Sequence, residues 1–156
     1  MRYDAIPPID RLIRFVPWSK LRKDENENVL GVMGAAFALR DGEEQLSVTW
    51  CEYFGGMGDE CLRCAVEAIR SSRSAGSLAR YAVVKAEDVT TFMQERNVKV
   101  RILHEPEDSN PAHSVVTRWP RDDFDLLEQL AGDVWCTTVS KADVDALPLI
   151  NCEARG

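Results

Sequence analysis

The chain has 156 residues, 45% of them hydrophobic and 29% charged, and a net charge of −7. That length suits one domain with its own core, no apolar run approaches the roughly 18 residues that span a bilayer, and the acid excess opposes nucleic-acid binding, which needs a concentrated basic surface. The five cysteines (Cys51, Cys61, Cys64, Cys136 and Cys152) are odd in number and lack the spacing of a secreted scaffold. With Asp4, Pro7, Pro8 and Asp10 interrupting any signal-like apolar stretch, they point to free thiols and a cytoplasmic protein.

In chain order, residues 1–34 read as irregular, since Pro7, Pro8 and Pro17 break any long helix and KLRKDENEN has the character of a solvated loop. AAFALR and LSVTW then flank the turn signal Asp41-Gly42-Glu43-Glu44 and predict a β-hairpin. After Gly55, Gly56 and Gly58, the spacing of Leu62, Ala65, Val66 and Ile69 predicts a helix with Asp59 as its N-cap and Arg63, Glu67 and Arg70 outward. ARYAVVK reads as a buried strand, EDVTTFMQERN as a short helix and VKVRIL as an alternating strand; the intervening dozen residues are the minimum for a parallel crossover. HSVVTRW predicts another strand, RDDFDLLEQLAGDVW a helix capped by Asp122 or Asp123, and CTTV a last short strand. The expectation is a single α+β domain: an irregular segment 1–34, a core over 35–140 holding a mixed sheet of five or six strands with two main helices, and a tail over 141–156.

Both histidines lie in HEPEDSNPAH, residues 104–113. If VKVRILH and HSVVTRW pair as an antiparallel hairpin with Ile102 opposite Val115, His104 falls directly across from His113 at the mouth of the loop. Imidazoles beside Glu105, Glu107, Asp108 and Asn110 suit acid–base chemistry or metal ligation, zinc being the metal such ligands would take. The competing reading is a polar loop stiffened by Pro106 and Pro111, whose histidines bond main-chain carbonyls at the strand ends.

The cysteines add weaker patterns. Cys61-Leu62-Arg63-Cys64 has CxxC spacing at a helix start, where redox chemistry competes with small buried core residues. A zinc set of Cys61, Cys64, His104 and His113 has suitable ligand types. Cys51 is a candidate nucleophile if the fold brings it to His104 or His113. EYFGGMGD lacks the glycine spacing and the Lys-Ser/Thr of a P-loop, though a ligand pocket beside it is conceivable.

AFALRDGEEQLSVTWCEYF (36–54) and HEPEDSNPAHS (104–114) resemble segments of a group of small bacterial proteins of unassigned function, with AFxLRxGEExLSVxWxEYF-like and HxP…NPAH-like strings. The resemblance covers about residues 36–116 and implies importance for Ser47, Trp50, Glu52, His104, Asn110 and His113, with no activity attached. The expected function is therefore an accessory or immunity-like protein that binds another protein, encoded nearby in a defence or toxin–antitoxin locus, with its acidic surface and the histidine loop as contacts. The alternative is a hydrolase-like or metal-assisted enzyme centred on His104 and His113 and aided by Asp108, Asn110 and Cys51.

Overall fold

A computed structural model describes residues 4–56, 58–73 and 76–152. Six strands pair antiparallel throughout: β1 (Arg11–Val16), β4 (Leu46–Trp50), β5 (Arg80–Lys85), β6 (Arg101–His104), β7 (His113–Thr117) and β8 (Thr137–Ser140), in the spatial order β6-β7-β4-β1-β5-β8. A separate ribbon joins β2 (Leu21–Lys23) to β3 (Val29–Val32). Residues 4–6 cover the outer edge of β6, where His104 N–H donates to Asp4 O and Ile6 N–H to Ile102 O, so that edge is closed to other chains.

Side chains alternate along each strand, and both faces of this sheet are buried. One face sets Leu12, Val16, Leu46, Val48, Ala82, Val84, Ile102 and Val116 against α2 (Ala86–Gln94), α3 (Phe124–Asp133) and a 3-10 turn at Gly34–Phe37. Two indoles in this layer have their N–H groups satisfied, Trp119 by Phe37 O at 2.7 Å and Trp135 by Ala82 O at 3.0 Å. The other face sets Ile13 and Tyr81 against α1 (Glu60–Ser72) and α4 (Lys141–Asp145). Gly34 allows the 3-10 turn to reach α3, because a Cβ there would stand 2.7 Å from Glu128 N.

The α+β class, the strands β4, β5, β6, β7 and β8 and the helices at α1 and α3 agree with the sequence reading; several details differ. The segment 1–34 is not irregular, since it supplies β1 near the middle of the sheet, and the tail contains α4. The first arm of the expected 35–50 hairpin is the 3-10 turn instead. No parallel crossover exists among the described residues: β5 and β6 lie on opposite sides of β1, and the sheet is antiparallel rather than mixed. The β6–β7 hairpin forms, but one residue out of the expected register, with Ile102 opposite Val116 and His104 opposite Ser114.

The cysteines are not all free either. Cys64 in α1 is bonded to Cys152, 88 residues away, and fastens the C-terminal segment to the helix. This corrects the free-thiol expectation, and the thiol argument for a cytoplasmic location no longer holds, because structural disulfides belong mainly to oxidising compartments. No helix is long and apolar enough to cross a membrane among the described residues. Replacing Cys152 by Ala is expected to cost about 2–4 kcal/mol, read as a lower urea midpoint with the disulfide-intact protein as reference. A midpoint equal to the reference would show that the crosslink does not hold the fold.

Candidate functional site: a cavity where the sheet splits

β1 pairs with β5 along its whole length but with β4 only at Leu12 and Ile13. Beyond Ile13 the two central strands part, and Arg14 spans the gap. Its Nε donates to Ala36 O at 3.0 Å and its Nη1 to Ser47 O at 2.7 Å, so the guanidinium ties β1 to the 3-10 turn and to β4. Arg14 shares a parity with Leu12 and Val16, and only 7% of it is exposed. Among the described residues no carboxylate lies within ion-pairing distance of it. A buried charge held only by neutral carbonyls is an incomplete arrangement.

On the α1 side of this split lies a cavity of about 180 Å³. Its wall includes Arg14, Phe15, Ser47, Thr49, Arg73 and His113. Arg73 stacks its guanidinium over the Phe15 ring at 4.8 Å. Burial, with the charge of Arg40, pushes Arg14 down to about 10, which still leaves it cationic near neutrality. Burial also lowers Arg73 and Lys20, and further positive charge adds to the effect: Arg40 on Arg73, and Arg14, Arg40 and Arg73 on Lys20. Glu43 is the acid that opposes these cations in each case. Of these groups Arg14 and Arg73 line the cavity, with Glu107 the acid in the same wall.

The histidine loop forms the rim. His113 lies on the cavity side, opposite Thr49, and its Nδ1 bonds Glu105 O at 2.8 Å, with carboxylate oxygens of Glu105 and Glu107 each 3.9 Å away. His104 belongs to the opposite face: its Nε2 bonds Pro111 O at 2.8 Å and its ring packs 5.2 Å from both Trp50 and Tyr53. The one-residue difference in register separates them, since a shift of one residue moves every side chain to the other face. The two histidines therefore do not face each other, and each uses one ring nitrogen to tie a main-chain carbonyl.

The other sequence candidates disperse. Asn110 is buried and structural: its Nδ2 donates to Thr49 Oγ1 at 2.9 Å and its Oδ1 accepts from Ala112 N at 3.1 Å. Asp108 is exposed on the turn. Cys51 is buried beside Cys61, and among the described residues no hydrogen bond joins its sulfur to either imidazole. Trp50 donates its indole N–H to Asp10, and Glu52 holds Arg11, while Ser47 alone of these three lines the cavity. The zinc set of Cys61, Cys64, His104 and His113 fails at Cys64, whose sulfur is committed to the disulfide. The cavity also stands apart from the Gly-rich turn at 55–58. The sequence reading missed Arg14 and Arg73; the available signal was an arginine at an apolar parity position in RLIRFV.

Asn110→Ala leaves the buried Ala112 N–H without its acceptor and is expected to destabilise by about 2 kcal/mol, whereas Asp108→Asn on the exposed turn should stay within about 0.5 kcal/mol. Chemical denaturation of the two variants checks this, and equal effects would mean that Asn110 does not organise the rim. Comparison with known protein families, curated proteins and solved structures finds no match to this chain.

Proposed function

We propose that this protein works by binding rather than turnover, as an accessory or immunity-like partner of another protein, and that the cavity at the split receives a carboxylate presented by that partner. The observation that carries the reading is the cavity wall at the split, where Arg73 stands over Phe15 and Arg14, buried and reaching across the split to Ser47 O, has no carboxylate in ion-pairing reach among the described residues. Arg14 already gives its Nε and Nη1 to Ala36 O and Ser47 O, which leaves its Nη2, together with the guanidinium of Arg73, to meet a carboxylate. Glu107 and Asp108, exposed on the rim, repel polyanions and favour a partner whose acid is flanked by basic residues.

A second reading, the hydrolase-like or metal-assisted enzyme, is favoured by one feature: His113 lines the cavity, and the bond from its Nδ1 to Glu105 O fixes the ring so that Nε2 is the free nitrogen. His104, on the other face, takes no part in that centre.

Succinate is the probe for the binding reading. At tenfold above its Kd it should raise the melting temperature by roughly 3–6 °C, and Arg73→Gln, whose side chain is only half-buried, should abolish the rise while leaving the unliganded protein folded. Reversing the charges of Glu107 and Asp108 should relax the discrimination against polyglutamate. An equal rise in Arg73→Gln, or none in the parent, overturns the cavity as the recognition site. Ester hydrolysis lost in His113→Gln, with succinate binding retained, would favour the enzyme instead.

A further inference from the structure

A second cluster lies where β1 begins and α1 begins, and the binding reading makes no use of it. Cys51, in the turn after β4, and Cys61, in the first turn of α1, are both buried and bring their Sγ atoms to 2.7 Å. That separation is too short for two sulfurs that merely touch and longer than the bond of about 2.05 Å in a disulfide. Glu52 Oε2 stands 3.9 Å from Cys61 Sγ, and Arg11 Nη2 donates to the same sulfur at 3.3 Å.

Cys51, Glu52 and Cys61 are the one group of three metal-type donors lying within 4.8 Å of one another among the described residues. A cation already sits there, however. The main-chain N–H and Nε of Arg11 hold the two Glu52 oxygens at 2.6 and 2.7 Å, and its Nη1 holds Asp59 at 2.5 Å. A divalent ion would have to displace this guanidinium, which instead is placed to stabilise a thiolate. The helix start adds to that effect, since a thiol in the first turn of α1 lies in the positive end of the macrodipole.

We propose that Cys51 and Cys61 are a reversible dithiol that closes to a second disulfide by exchange with a low-molecular-weight disulfide such as oxidised glutathione. When the start of α1 opens locally, the Cys61 thiolate attacks one sulfur of the external disulfide, forming a mixed disulfide and releasing one thiolate, which takes up a proton. Cys51 then gives up its proton and attacks the Cys61 sulfur, and the second thiolate leaves and is protonated. Two protein thiols and one small disulfide become one protein disulfide and two small thiols. The order follows from the environment: Arg11 Nη2 donates to the Cys61 sulfur at the start of α1, whereas no cation donates to the Cys51 sulfur among the described residues. This pair is distinct from the Cys64–Cys152 crosslink, so the CxxC cysteines of α1 serve two different partners.

The test is equilibration of the full-length protein in glutathione buffers of increasing oxidised fraction, followed by thiol alkylation and peptide mapping, with the exposed Cys136 as internal control. The expected result is a peptide joining Cys51 to Cys61 that appears with oxidised glutathione and vanishes on returning to the reduced buffer. Cys51→Ala should accumulate glutathione on Cys61, whereas Cys61→Ala should leave Cys51 as a thiol. The proposal is overturned if Cys51 and Cys61 remain alkylatable where Cys136 is glutathionylated, or if Cys61→Ala accumulates glutathione on Cys51. Stoichiometric metal in the parent that disappears in Cys61→Ala would overturn it in favour of a metal centre. The buffer titration needs only the parent protein and so decides the question even if a variant fails to fold.

Discussion

The guanidinium of Arg14 is the interaction on which the middle of this molecule depends. Two central strands, β1 and β4, pair at two positions and then separate, and a sheet opened in that way exposes carbonyls that must find donors. Arg14 supplies them to Ala36 and Ser47 at once, so a single side chain bridges the split strand pair and the 3-10 turn packed beneath it. The cost is a cation out of water. Arg40 and Arg73 add positive charge that makes the cost larger, and Glu43 offsets part of it. In the proposed reading an incoming carboxylate offsets that cost, and the recognition site is the same place that holds the sheet together.

The histidine loop takes on a supporting role in this picture. Asn110 folds the turn back on Thr49, the ring of His113 is tied to Glu105, and that of His104 is tied to Pro111 and packed between Trp50 and Tyr53. Polar residues that look like catalytic equipment in one dimension are here spent mostly on satisfying main-chain groups, as buried polar side chains usually are. What remains for recognition is the exposed carboxylate rim and one face of His113.

Much of the fold was legible because its signals are local. The periodicity of Leu62, Ala65, Val66 and Ile69 defines α1, and Asp123 caps α3 by accepting from Leu126 N as its position suggests. Asp59 precedes α1 as expected, yet its carboxylate is used by Arg11 and makes no capping bond. Long-range choices were not legible. Strand order depends on which apolar faces meet, and the short α2 connection permits either a parallel neighbour or the observed excursion to the far edge of the sheet. The register of β6 against β7 turned on one residue in an eight-residue loop, and that residue decided whether His104 and His113 share a face. The Cys64–Cys152 pairing spans 88 residues and leaves no local trace. Arg14 alone of the missed features had a local mark, a charge at a position whose strand neighbours Leu12 and Val16 are fully buried.

The central claim concerns the state of one side chain, and the guanidinium N–H signals of Arg14 report it directly. In a nitrogen-correlated NMR spectrum of the labelled protein, the account predicts a slowly exchanging Arg14 Nε–H, protected by its bond to Ala36 O, that shifts in a saturable way as a carboxylate is added while the exposed arginines do not. A fast-exchanging Arg14 signal, or a protected one indifferent to the anion, would contradict the account.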